Sequence, residues 1–284
     1  MRARFFRTIG EIRVPKFVYE PGSVRESLAA GKMSMTVAVI ERSDGSIVLV
    51  DSGYSEVVCA NPIGALGWFR SLSALGLDST ADDAIVRQLQ ELGYDPRKVT
   101  HVIATHMHLD HIGGVCDFPN AELIASRDEF AAFLAVPRNP GYRPEDLVAS
   151  GRIRIVDLKE DGRYGFPASF DLFGDGEVVL LDARGHTQGS VAVAIDDGER
   201  PYIHIGDAAY QSWEYGLAPA GPSRLATLTV WDKAKLHDTY RVLREAENHE
   251  RRPVLVPSHD VAVYETLPKA AHDATRSAAS QAST

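Results

Sequence analysis

Cysteine is almost missing from this chain: Cys59 and Cys116 are its only two. Neither lies in a C-x-x-C pattern. Two cysteines argue against a disulfide framework, both thiols read as small buried or half-buried side chains, and a reducing cytoplasm is the expected compartment. Long apolar runs are missing as well. No stretch approaches the ~20 residues a membrane-crossing helix needs. The basic start, Met1-Arg2-Ala3-Arg4-Phe5-Phe6-Arg7, has no apolar segment behind it and makes a poor secretory signal. Positive charge is in deficit: 30 Lys and Arg stand against 39 Asp and Glu, a formal net charge of −9. That balance argues against a nucleic-acid partner. There is no Ser/Gly-rich linker and no internal repeat, so the 284 residues read as a single domain.

What is present suits a soluble globular chain, with 44% hydrophobic and 24% charged residues. β-Branched runs at 35–40 and 46–50 flank Ser43-Asp44-Gly45, a hairpin signal. Residues 61–78 form an irregular apolar insertion. A helix is expected over 80–92, with Ile85, Leu89 and Leu92 on one face. A strand at 99–104 follows. Ser126-Arg127-Asp128-Glu129 has capping-box spacing and opens a short helix through Leu134. Strands are expected at 153–156, 177–181, 191–195, 202–205 and 254–256, and an amphipathic helix at 231–247. The Ala/Ser/Thr-rich tail from about 270 is expected to fray. Strands and helices in this order suggest packed sheets flanked by helices.

The run Thr105-His106-Met107-His108-Leu109-Asp110-His111 crowds three imidazoles and a carboxylate together. These are the usual ligands of a borderline divalent ion such as zinc. In an extended backbone His106, His108 and Asp110 project to one side, because side chains alternate with a period of two. His111 falls out of that phase and would serve a second ion. Three further candidates, His186, Asp207 and His259, each follow a predicted strand, and glycines beside the first two allow tight turns. Loops at one end of a sheet converge in space, where sites are commonly built. Seven such residues exceed the needs of one closed tetrahedral site. His101, His204, His237, His249 and His272 read as surface or satisfied core residues.

This arrangement resembles the metallo-β-lactamase superfamily over about residues 35–259. The resemblance implies an α/β (α+β) fold, a four-layer αββα sandwich with the site at one edge of two sheets. It implies that His106, His108 and His186 hold one metal, that Asp110, His111 and His259 hold the other, and that Asp207 bridges them. Two divalent ions are expected, zinc first, with iron, manganese or cobalt as alternatives. Asp51, in Asp51-Ser52-Gly53, is similar to a strand-end aspartate that orients a ligand histidine or loop; a plain turn aspartate is the competing reading.

Within the family, an aspartate at 207 disfavours the zinc β-lactamases proper. The 25 residues after His259 are too few for a glutathione-binding extension of the glyoxalase II kind. Asp207-Ala208-Ala209-Tyr210 resembles N-acyl-homoserine lactone lactonases, in which a tyrosine at this offset reaches the substrate carbonyl. The implied activity is metal-dependent opening of a lactone ring by a metal-bridging hydroxide. Asp110 would shuttle the proton and Tyr210 would donate to the oxyanion. Trp68, Phe69, Leu72, Trp213 and Tyr215 would form an apolar lip for an acyl chain or ring, or else bury a homodimer surface. Other carboxylic esters or phosphotriesters, iron-dependent persulfide oxidation, and a metal-loaded ligand-binding protein are the alternatives. The expected partner is a small molecule, with no nucleic acid and no membrane.

Overall fold

Ile47–Val50 reads Ile-Val-Leu-Val, and all four residues are buried. A strand covered on both faces has this composition. Its side chains divide by parity: Ile47 and Leu49 pack into an outer layer, Val48 and Val50 into an inner one. The computed structural model that gives this picture describes residues 1–8, 11–15, 30–66, 77–135, 151–216 and 221–269.

Ile47–Val50 lies inside a six-stranded sheet ordered Arg2–Arg7, Thr36–Glu41, Ile47–Val50, Val99–Ile103, Glu122–Ser126, Ile153–Val156. A five-stranded sheet runs Ser169–Asp171, Val178–Asp182, Val191–Ile195, Tyr202–Gly206, Val254–Pro257. The two meet face to face through Val48, Val50, Ile103 and Ile124 on one side and Val178, Leu180, Val191 and Val193 on the other. Helix Ile85–Glu91 and Phe130 of helix Arg127–Ala135 cover the first sheet. Leu236, Tyr240 and Leu243 of helix Lys233–Glu247 cover the second. This is the αββα sandwich expected from the sequence. A small three-stranded sheet of Ala30–Met33, Glu11–Pro15 and Leu77–Asp78 is separate.

Several local expectations shift. The basic start forms an edge strand, Arg2–Arg7, in which Ala3 and Phe5 point to the inter-sheet core. The helix expected over 80–92 is broken: a 3-10 turn Ala81–Asp83 precedes helix Ile85–Glu91, and Ala84 between them is extended, with ψ 135. The last long helix begins at Lys233, not Trp231, because the Asp232 carboxylate accepts from the N–H groups of Ala234 and Lys235 and caps it. Gly45 takes φ +82 in the hairpin after Glu41, as its turn requires. Of the apolar insertion at 61–78, Trp68, Phe69 and Leu72 lie outside the described residues, as does the tail from 270. No described helix is long and apolar enough to cross a membrane.

Candidate metal centre

The seven candidates sit at the C-terminal ends of strands from both sheets. Val99–Ile103 leads to His106 and His108, and one helical turn, Leu109–Ile112, carries Asp110 and His111. Val178–Asp182 leads to His186, Tyr202–Gly206 to Asp207, and Val254–Pro257 to His259. Gly206 adopts φ +55, and a Cβ there would lie 2.6 Å from the Thr105 hydroxyl. Only glycine lets that strand end come so close to the histidine loop.

The helical turn corrects the alternation argument. Asp110 does not share a side with His106 and His108, because the backbone coils after His108 instead of staying extended. It converges with His111 and His259, whereas His106, His108 and His186 form a group of their own. In that group His108 Nδ1 lies 2.9 Å from His106 Nε2 and 3.2 Å from His186 Nε2. Ligand edges of about 3.3 Å are what a tetrahedral ion with 2.0–2.1 Å bonds to nitrogen demands. Asp207 stands between the groups. Its Oδ2 is 3.8 Å from His106 Nε2 and 3.6 Å from His186 Nε2. Its Oδ1 is 3.3 Å from His111 Nε2 and 3.2 Å from His259 Nε2. Asp110 Oδ2 completes the second group at 3.8 and 3.9 Å from the same two nitrogens.

Buried polar atoms normally have partners. Yet His111 Nε2 and Asp207 Oδ1 are buried without a hydrogen bond. Orphaned donors and acceptors aimed at one point, in an all imidazole and carboxylate set, fit divalent metal. Behind the candidate ligands, two of the histidines are braced. Asp51 accepts from the Thr105 N–H at 2.8 Å and from the Thr105 hydroxyl at 2.9 Å, and lies 2.8 Å from His111 Nδ1. It does so with φ +60, a strained conformation for a non-glycine residue. His259 Nδ1 is 2.7 Å from the Ser34 carbonyl. His204, as expected, is a satisfied core histidine between Thr36 O and Gly206 N.

Electrostatics divide the two groups. Burial, then the neighbouring imidazoles of His111 and His108, holds His106 well below the usual histidine range. Burial likewise brings His186 down to about 4. For His111 burial acts downward, but Asp207 and Asp51 override it and raise the imidazole well above its usual range. His259 is raised against burial by Asp207. Asp207 is in turn pulled down, against its burial, by His259 and His111. Tyr210 rises well above 10, first from burial and then from Asp207.

Tyr210 spans the centre. Its ring meets His186 edge-on at 5.6 Å and stacks on His259 at 5.3 Å, and its hydroxyl is 3.0 Å from Thr229 Oγ1. A cleft of about 310 Å³ opens beside His108 and His186, walled by Met107, Ala132, Phe133 and Trp231. Its size is that of a small-molecule site. Trp213 and Tyr215 do not line it, contrary to the expected lip. The turn Ser212–Tyr215 is tied to Asp260 through the Ser212 N–H, which sends Tyr215 into the core beside Tyr240 and Leu243. Phe133 and Trp231 supply the apolar wall instead. Sequence reading missed both: Phe133 looks like one more helix residue, and Trp231 like a helix start. It also missed Glu129, which the capping-box spacing explained away.

A family model for the metallo-beta-lactamase superfamily matches residues 32–249. A probable metallo-hydrolase of Mycobacterium tuberculosis is 31% identical over 240 residues, 81% of this chain and 75% of that protein. The N-acyl homoserine lactonase AttM of Rhizobium johnstonii is 30% identical over 247 residues, 82% of this chain and 84% of that one. Among solved structures, an N-acyl homoserine lactone hydrolase with the product N-hexanoyl-L-homoserine at its catalytic metal center shares the fold. Its TM-score is 0.67 at 20% identity, covering 93% of this chain and 95% of that one. A dizinc quorum-quenching lactonase, AidC, aligns with TM-score 0.61 at 16% identity over 91% of each chain. Sandwich, strand-end cluster of metal-type residues and family match agree: the chain belongs to the metallo-beta-lactamase superfamily.

Proposed function

We propose that this protein is a dinuclear metal-dependent hydrolase that opens a lactone, or a closely related ester, carrying an apolar group. One observation carries the reading: Asp207 divides its two oxygens between two separate imidazole groups. Its lactonase relatives support the substrate class. His106, His108 and His186 would hold one ion, Asp110, His111 and His259 the other, with Asp207 shared. Two such ions supply Lewis acidity, acidifying water and polarising a carbonyl oxygen.

The chain's own groups do the rest. His108 is exposed and Asp110 is partly so, which marks the open side from which substrate enters. Asp110 takes a proton from the attacking water. Water oxygen bonds to the carbonyl carbon, the ring C–O bond breaks, and Asp110 returns the proton to the leaving alkoxide. Tyr210 keeps its proton at any working pH, since burial and Asp207 raise it. Its hydroxyl therefore donates to the oxygen on which negative charge grows. The cleft of Phe133 and Trp231 seats the apolar group. Asp51 fixes His111 from behind.

The deciding experiment follows acid release with a pH indicator over lactones of short and long acyl chain, comparing zinc-loaded with chelator-stripped protein. Ring opening only by the loaded protein is expected. If metal-replete protein opens no lactone, the activity moves to other esters, phosphotriesters or iron-dependent thiol oxidation. A His106→Ala protein with full turnover and full metal would sink the assignment of the centre.

A further inference from the structure

Glu129 stands where a capping box places its reciprocal partner, and half of that box forms: the Glu129 N–H donates to Ser126 Oγ at 3.2 Å. The carboxylate does not turn back to the cap. It is buried, 4% exposed, and reaches across to two loops. Oε1 accepts from the Met107 N–H at 2.8 Å. Oε2 accepts from the Thr187 hydroxyl at 2.6 Å and from the Gly189 N–H at 3.1 Å. Met107 lies between His106 and His108 on the first sheet. Thr187 and Gly189 belong to the His186 loop on the second.

The rest of the contact is built to match. A Cβ on Gly189 would lie 2.0 Å from the Glu129 backbone nitrogen, so only glycine permits this approach. Ser126 Oγ donates to the Gly189 carbonyl at 2.6 Å, closing the contact from the other side. A local capping preference has been overridden by a cross-sheet one, and such departures gather at functional sites. The second ligand group is braced elsewhere, through Asp51 behind His111 and the Ser34 carbonyl beside His259.

We propose that Glu129 is a positioning residue for the first metal position alone: it bolts the His106–His108 loop to the His186 loop and so sets how tightly those three imidazoles hold an ion. The inference rests on the two-metal reading above. A carboxylate suits the task because all three partners are donors and both of its oxygens accept. In Glu129→Gln one oxygen becomes an NH2 donor that must face an N–H or O–H. The length is kept and one arm of the bolt is lost. In Glu129→Asp the chain is one methylene too short to span both loops.

The test is a zinc titration of metal-free protein against a chromophoric chelator, with folding checked by circular dichroism. Wild type is expected to take two equivalents. Glu129→Gln should weaken one of them about ten- to hundredfold, the range for losing a hydrogen bond behind a ligand, and leave the other unchanged. His108→Ala should abolish that same equivalent, which identifies it. Thr187→Val, which removes one of the three donors, should weaken it less and in the same direction, and it decides the matter if Glu129→Gln does not fold. Folded Glu129→Gln with both equivalents at wild-type affinity would overturn the proposal. So would equal weakening of both, which marks a general structural prop. Wild type binding fewer than two equivalents would overturn the two-metal reading itself, before any variant is made.

Discussion

Tyr210 touches both ligand groups with one ring, through His186 and His259. Removing its hydroxyl leaves that stacking in place, so Tyr210→Phe removes the phenol's chemistry together with its one contact to Thr229 Oγ1. We expect kcat on the responsive lactone or ester to fall about ten- to hundredfold with KM little changed, the mark of a donor that works mainly in the transition state. Unchanged steady-state kinetics would make the tyrosine structural. The histidines make a second prediction. His186, at about 4, and His106, also lowered, are mostly neutral at pH 6.5 and have little to give up. His111 and His259 are raised above 6.5, so in metal-free protein each is more than half protonated at that pH. Zinc uptake at pH 6.5 should therefore release at least about one proton, fading as pH climbs past both raised values. Calorimetry in two buffers of different ionisation enthalpy reads this number. The sign for stability follows: these two groups stabilise the metal-free fold fully below about 6.5, and that share is lost as pH rises through their folded values.

At the scale of elements, the centre is a set of strand ends held together by close backbone approaches. Gly206→Ala tests one of them. The new methyl would sit 2.6 Å from Thr105 Oγ1 at φ +55, displacing the residue that links Asp51 to the histidine loop. Strain and overpacking together should cost about 2–4 kcal/mol, read as a lowered denaturation midpoint. Most of these strand ends were legible in the sequence, because a buried strand running into a histidine or an aspartate is a local pattern, marked further by a glycine just before His186 and Asp207. Asp110 was assigned to the wrong side by alternation, which fails once the chain coils at Leu109. The edge strand Arg2–Arg7 was hidden by its arginines, of which Arg2 and Arg4 alternate with the inward Ala3 and Phe5. Glu129, Phe133 and Trp231 were illegible for a deeper reason. Their roles come from which loop lies opposite, and no spacing along the chain encodes that.

At the scale of the whole molecule, the two large sheets meet at one edge where the seven candidate ligands gather. His106, His108, Asp110 and His111 follow the first sheet, and His186, Asp207 and His259 follow the second. Metal bound there would tie the sheets together and stabilise the folded state over the unfolded one. Stripping it should lower Tm, and returning zinc at about a thousandfold over its Kd should restore about 4 kcal/mol for each site filled. A scanning calorimetry trace unaffected by chelation would contradict that coupling.

The wall of Phe133 and Trp231 bears also on what leaves. Hydrolysis of a neutral ester turns an uncharged guest into a carboxylate. In the proposed reaction the apolar group on that wall is the same before and after the bond breaks, while the new carboxylate meets a chain of net charge −9. The wall would then grip substrate and product alike, so a larger apolar group would tighten both, and the departure of product rather than the capture of substrate would set the pace for the greasiest guests.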